Sequence, residues 1–264
     1  MSPFSEWRLD TLRVGRRVLL YDRVDSTNNL AAALAADPAN DGTVVLANEQ
    51  AAGRGQHGRT WQCPPGVGVL MSVLIFPPPE LRRPSILTAW AAVAVCETIR
   101  RCTTLQAKIK WPNDILIQGR KVCGILIEQA RGTVAGIGLN VSQSPESLAR
   151  AGLPAAGSLA CFTDRPLDRE EVARQLVEQL DEEYDRMCQG DLDTLEARWK
   201  RRLGLLGRPV AVECLDGVRR GRLCELTFDR VVVELPGGRL FAISPEMVRH
   251  LEGNDGMIGA TNHA

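Results

Sequence analysis

Four strand-like runs separated by short turns fill residues 108–141, and no other stretch limits the fold so tightly. Lys108–Lys110 leads into Trp111-Pro112, where the proline holds its predecessor in an extended or turn geometry. A second run leaves through Asp114–Gln118, and Gln118-Gly119-Arg120-Lys121 reads as a hairpin turn. Val122–Gln129 returns, and Gly132 opens the turn into Val134–Val141. Such a meander implies antiparallel neighbours. Gly136 and Gly138 lie inside the last run, where glycine marks the close approach of backbone or ligand.

The flanking segments extend this sheet. Residues 16–22 predict a strand, and Asp25-Ser26-Thr27-Asn28-Asn29 then caps an Ala/Leu helix from Leu30. That helix N-terminus presents free N–H groups and the positive end of its dipole. Thr43–Asn48 predicts another strand. Val67–Phe76 alternates poorly but is rich in Val, Leu and Ile, as a strand buried on both faces would be. Pro77-Pro78-Pro79 ends it, and a buried helix follows from Pro84 to about Cys102. From Asp168 the period becomes helical: Asp168 with Glu171 fits a cap, and Val172, Leu176, Leu180 and Tyr184 form a core stripe. Leu192, Leu195 and Trp199 continue it on a second helix. Between Gly207 and Glu252 short strands alternate with Asp216-Gly217 and Gly237-Gly238 turns, the pattern of a small antiparallel barrel. A unit of that size should lean on the main body. The expected fold is α+β: a mixed sheet flanked by helices over 1–205, a small β-barrel over 206–252 and a frayed tail over 253–264.

Composition removes several functions. The chain has 264 residues, with 32 Lys+Arg against 32 Asp+Glu, so a nucleic-acid or anionic-membrane coat is disfavoured. The longest uncharged apolar run, between Pro84 and Glu97, is shorter than the roughly 20 residues of a membrane span. Met1–Asp10 lacks the apolar core of a secretory signal. Eight cysteines without a C-x-x-C pair read as free thiols of a reducing cytoplasm. Three scattered histidines give no zinc site, so no protein metal site is expected. No Walker A motif occurs.

The chemistry gathers in Gly53-Arg54-Gly55-Gln56-His57-Gly58-Arg59-Thr60-Trp61. Glycines let backbone N–H groups approach an anion, and arginine adds a planar fork for phosphate or carboxylate. The segment reads as a mobile loop closing over negative charge. Asp25–Asn28, Gln50–Trp61 and Lys110–Asp114 each stand at a strand end. Together they offer two arginines, one lysine and several amide and hydroxyl groups, a set suited to adenylyl transfer, which is largely positioning and charge neutralisation.

Five ordered segments carry a resemblance. Asp25-Ser26-Thr27-Asn28, Glu49 through Trp61, Lys110-Trp111-Pro112-Asn113-Asp114, Lys121 through Glu128 and Gly136-Ile137-Gly138-Leu139-Asn140-Val141 resemble biotin protein ligases in order and spacing. The resemblance covers nearly the whole chain. It is to the short, monofunctional type without an N-terminal DNA-binding domain, and so implies no DNA partner and no membrane. It implies a class II synthetase-like catalytic domain and an SH3-like C-terminal barrel. It also implies a two-step reaction: biotin and Mg2+-ATP give biotinyl-5′-AMP and pyrophosphate, and a lysine of a biotin carboxyl carrier protein then takes the biotinyl group. Ser26, Thr27 and Asn28 would contact biotin, and Gln50 would bond near the intermediate. Gly53, Arg54, Gly55 and Gln56 would fold over biotin and phosphate, with Arg59 and Trp61 completing closure. Lys110 would hold the carboxylate and α-phosphate oxygens, with Arg54 as its catalytic companion. Asn113, Gly124 and Asn140 would be secondary contacts. His57 reads as a solvated loop residue and Cys123 as a small buried hydrophobe. Gln56 stands where the family usually has arginine, which predicts weaker retention of the adenylate. The resemblance also allows a homodimer through the sheet edge. A lipoate–protein ligase and a non-enzymatic biotin sensor are the competing readings.

Overall fold

A computed structural model describes residues 2–254; the expected fray of 255–264 lies outside the described residues. The main sheet holds β1 (Ser5–Trp7), β2 (Val18–Val24), β3 (Val44–Gln50), β4 (Gly68–Ile75), β5 (Lys108–Lys110), β6 (Asp114–Ile117), β7 (Arg120–Gln129) and β8 (Thr133–Asn140). Its spatial order is β1-β2-β3-β4-β8-β7-β6-β5. Only β2 and β3 run parallel, joined by helix α1 (Thr27–Leu34); every other pair is antiparallel. The meander expected over 108–141 is present, with Lys110 opposite Asp114 and Gly124 opposite Gly138.

Period-2 alternation gives the sheet two buried faces. Leu19, Tyr21, Val45 and Ala47 pack with Ala31 of α1. Val18, Leu20, Val44 and Leu46 face the opposite core, which contains α2 (Pro84–Thr103). Every residue of β4 is buried, which explains a run that is apolar but for Ser72. Behind α2 lie α4 (Arg169–Cys188) and α5 (Leu192–Leu203), after the short α3 (Pro145–Arg150). The Trp90 indole donates to the Leu180 carbonyl at 2.9 Å and tilts against Tyr184, locking α2 to α4. Asp168 caps α4 by accepting from the Glu170 and Glu171 amides. Asp181 accepts from the backbone N–H groups of Leu12, Arg13 and Val14 at 2.6–2.8 Å, pinning the N-terminal loop to α4.

A second sheet contains β9 (Pro209–Cys214), β10 (Gly217–Leu226), β11 (Val231–Glu234), β12 (Leu240–Ile243) and β13 (Val248–Gly253), in the order β12-β11-β10-β9-β13. All its pairs are antiparallel. It leans on the main body as its size requires. Trp199 of α5 stacks on Phe228 with centroids 5.2 Å apart, and Glu196 accepts from the Phe228 amide at 2.8 Å. Arg83 pairs with Asp229 at 2.6 Å, and the Trp111 indole donates to the Val248 carbonyl at 3.0 Å.

Several expectations change. Helix α1 begins at Thr27 rather than Leu30, and its N-cap Ser26 makes no side-chain capping bond. Strand β1 and helix α3 are further elements, too short at three and six residues to show a period in the sequence. The first tail residues are ordered by pairing: Gly253 closes β13, and the Asn254 amide donates to the Pro209 carbonyl at 2.9 Å. No helix among the described residues is long and apolar enough to cross a membrane.

The helical layer carries a shielded ion pair. Arg202 reaches Glu97 at 2.7 Å and also donates to Gln106 and the Ala107 carbonyl. Burial alone would raise the Glu97 carboxyl, but hydrogen bonds from Arg100 and Arg202 outweigh it and hold it below its usual range. A depressed carboxylate stabilises the fold above its unfolded pKa and loses that contribution as pH falls through the folded value. Arg202→Met should therefore lower unfolding free energy at pH 7 by about 2–3 kcal/mol, somewhat less than for a fully buried pair because Glu97 keeps Arg100. Urea melts at pH 7 and pH 3.5 check this; the deficit should shrink at the lower pH.

Candidate active site

The three strand-end segments meet in one cavity of about 170 Å3. Ser26, Thr27 and Asn28 enter from the β2–α1 turn, and Gln50 from the end of β3. Arg54, Gly55, Gln56, Arg59 and Trp61 come from the following loop, Lys110 and Asn113 from the β5–β6 turn, and Gly124 from β7. Two of the expected residues lie elsewhere. Gly53 forms the loop stem, where an added Cβ would stand 2.4 Å from the Trp61 carbonyl oxygen. Asn140 is buried behind the site, donating to the Gly157 carbonyl and accepting from Gln143, both at 2.9 Å.

The loop is fastened at its base. The Trp61 amide donates to the Gly53 carbonyl at 2.9 Å, and the Gly55 amide to the Arg59 carbonyl at 2.7 Å. Of the three loop glycines only Gly58 takes a positive φ, and His57 before it does the same. Gly53 is instead required by space, and Gly55 is extended.

Glycines of the meander form the cavity floor. The Trp61 ring lies flat where side chains of β7 and β8 would otherwise stand: an added Cβ would come within 2.3 Å of it at Gly138 and 3.0 Å at Gly124. The indole nitrogen is buried and has no hydrogen-bond partner among the described residues. A buried, unpaired donor is costly, and this one lies against the strand floor, 2.6 Å from where a Cβ at Gly138 would stand. At Gly136 an added Cβ would sit 2.2 Å from the Asn28 amide oxygen, so glycine alone lets Asn28 rest on β8.

A polar chain links the segments. Gln50 accepts from the Thr27 amide at 2.8 Å and its hydroxyl at 3.0 Å. The fully buried Ser72 hydroxyl lies 2.7 Å from Thr27 Oγ1 and 2.5 Å from Asn28 Oδ1. The Asn28 amide then donates to Glu128 at 2.7 Å, and Arg54 donates to the same carboxylate oxygen at 2.7 Å.

Two ammonium groups border the cavity in different ways. Lys110 is exposed at its rim. Lys121 is half-buried with its stem beside Gly124, its Nζ 2.6 Å from Asp114 and 5.7 Å from the Trp61 ring centroid. Lys121, Asp114, Ser72, Glu128 and His250 carried no assigned role in the sequence. Lys121 is hidden in what reads as a hairpin turn, and Ser72 in an apolar run. His250 reaches the cavity from β13, where a bulge between Val248 and His250 breaks the register, a device that re-aims side chains.

No cysteine lines the cavity. The Cys63 thiol, two residues beyond Trp61, is pushed up to about 11 by burial, which outweighs the pull of Arg169. Burial likewise drives Cys123 well above its ordinary value. Neither is poised as a nucleophile. Among the described residues no group of three or more His, Cys, Asp or Glu side chains is placed to hold a metal.

The sequence profile of the biotin/lipoate A/B protein ligase family matches residues 20–143. The chain is 34% identical over 221 residues to the bifunctional ligase/repressor BirA of Bacillus subtilis, covering 81% of this chain and 68% of that protein. It is 32% identical over 238 residues to the biotin–[acetyl-CoA-carboxylase] ligase of Mycobacterium tuberculosis, covering 84% and 88%. Among solved structures, the biotin protein ligase of Aquifex aeolicus in complex with biotin and ATP superposes with a TM-score of 0.76 at 26% identity, over 90% of this chain and 99% of that one.

Proposed function

The chain belongs to the biotin/lipoate A/B protein ligase family, and on that premise we propose that it works as a biotin–protein ligase. It joins biotin to ATP, with Mg2+ accompanying the nucleotide, to give biotinyl-5′-AMP and pyrophosphate. It then passes the biotinyl group to a lysine on the carrier domain of a biotin-dependent carboxylase. The observation that carries the proposal is the meeting of three polar strand ends in one cavity whose glycine floor seats Asn28 and Trp61.

Roles follow from placement. Ser26, Thr27, Asn28 and Gln50 supply the hydroxyl and amide groups that a polar ureido ring needs, and Ser72 holds two of them in position. Arg54, Gly55, Gln56 and Arg59 cover the acyl phosphate from the loop, and Asn113 and Gly124 shape the opposite wall. The Trp61 ring packs on the glycine floor and anchors the loop stem beside them. The resemblance assigns charge neutralisation to Lys110, but geometry favours Lys121. Its ammonium is anchored by Asp114 and backed by an indole, so it is preorganised, whereas Lys110 is solvated. Lys110 is then a rim charge that attracts the triphosphate. Closing the loop shields the anhydride from water.

The finer architecture belongs to the same proposal. We read 1–205 as a class II synthetase-like catalytic domain and 206–252 as an SH3-like barrel. The bulges at Leu223/Glu225 and Val248/His250, which increase twist, support the barrel. A homodimer through a sheet edge fits the outer edges of β1 and β5, which have no strand neighbour within the described chain.

Pyrophosphate release from biotin and Mg2+-ATP, followed by blotting of a carrier domain for biotin, tests the activity. Lipoate offered in place of biotin should give neither product; pyrophosphate with lipoate alone would favour the lipoate-ligase reading. Gln56 makes a further prediction. An arginine there would form charge-assisted bonds where glutamine forms neutral ones, a difference of about 1 kcal/mol. Gln56→Arg should release biotinyl-AMP about five-fold more slowly, measured by chasing the labelled intermediate with unlabelled biotin. Slower release by the wild type would refute the assignment.

A further inference from the structure

Among the described residues, Glu128, near the far end of β7, is the one carboxylate found bridging the biotin-contact turn and the covering loop. Its Oε2 accepts from the Asn28 amide and from the Arg54 guanidinium, each at 2.7 Å. Asn28 is held on its other side by Ser72 and from below by the absence of a side chain at Gly136. Arg54 stands at the loop stem, where Arg54 and Thr60 form an isolated bridge. The loop is therefore tied across the cavity at two points: the Trp61 ring on Gly138 and the Arg54–Glu128 ion pair.

We propose that Glu128 is a positioning residue that latches the 53–61 loop shut, so that retention of biotinyl-AMP depends on its charge. The inference rests on the ligase reading above. Glu128 is not among the side chains lining the cavity and does not touch the reacting atoms; it acts through Arg54 and Asn28. Because β7 belongs to the rigid meander and Arg54 to the loop, the pair converts a loop position into a fixed one. The latch is moderate by construction. Its two side chains are 44% and 36% exposed, the regime in which an ion pair contributes up to about 1 kcal/mol. A latch of that strength can open each turnover to let the acceptor lysine in and product out, which a deeply buried pair could not.

Two substitutions separate the latch from a structural role. Glu128→Gln keeps an acceptor for Asn28 and the side-chain volume but removes the charge opposite Arg54; Glu128→Ala removes both. In the latch account, Glu128→Gln releases labelled biotinyl-AMP about three- to five-fold faster than wild type. Amides of residues 53–61 exchange faster to the same degree, while the melting temperature stays near wild type. Raising salt from 50 to 500 mM should narrow the difference, since screening weakens the pair in the wild type alone. Wild-type release by Glu128→Gln, with a defect only in Glu128→Ala, would show that the carboxylate merely supports Asn28 and would overturn the latch. Absence of pyrophosphate from the wild type itself would instead overturn the ligase reading, so the two failures are distinct.

Discussion

Lys121→Ala should lower biotinyl-AMP formation by about 10²–10³-fold, the usual cost of removing one preorganised group that stabilises developing charge. Lys110→Ala should cost less than about ten-fold. The contrast follows from how each ammonium is held. Lys121 spans Gly124, is fixed by Asp114 and has an indole face 5.7 Å from its nitrogen, so it needs no reorganisation when charge develops on the acyl phosphate. Lys110 is exposed at the rim, where water already stabilises it and screens what it can offer. Lys121→Arg should not restore the rate, because a planar fork differs from a point charge on a flexible stem. Pyrophosphate release at saturating biotin and ATP is the measurement. Near-wild-type turnover by Lys121→Ala together with collapse of Lys110→Ala would return the role to the rim lysine.

Gly138→Ala should reduce kcat/KM for biotin by about 10²-fold, the scale associated with misplacing a positioned group by about 1 Å. The new Cβ would come within 2.3 Å of the Trp61 ring and 2.6 Å of its nitrogen, so the ring has to lift. Trp61 also bonds to Gly53 at the loop stem, and its displacement carries the loop with it. The main sheet should persist, because Gly138 pairs through its backbone with Leu70 and Gly124, and an exchange-stable fold with lost affinity is the expected combination. The biotin dependence of pyrophosphate release, isothermal titration with biotin and a thermal melt of the same sample check both halves. Unchanged affinity would mean that the indole is not part of the site.

The fold was legible where periodicity had one solution. The all-buried β4 announced itself as a Val/Leu/Ile-rich run, and the turn-punctuated meander left only antiparallel neighbours. Gly136 and Gly138 were readable as close approaches, although the partners, Asn28 and Trp61, were not, since both lie far away in sequence. Short pieces stayed hidden: β1 has three residues and exposes most of its surface. At the site, residues with unusual chemistry in loops stood out, whereas those whose value comes from neighbours did not. Ser72 differs from its apolar surroundings by one hydroxyl, and only the fold brings Thr27 and Asn28 to it. Asp181 looks like one more charge on a charged helix until Leu12, Arg13 and Val14 are seen to point their amides at it. Lys121 and Glu128 open and close a single strand-forming motif, yet each acquires a task only from a partner on another segment.

The hydrogen bond from Trp111 to the Val248 carbonyl ties the two sheets together at the turn that carries Asn113, and His250 follows two residues later on the same strand. A chain cut after residue 205 would thus be a vessel missing part of its rim. The smaller sheet therefore finishes the wall of the cavity, and its attachment to the larger one is a condition of the site's shape rather than an ornament.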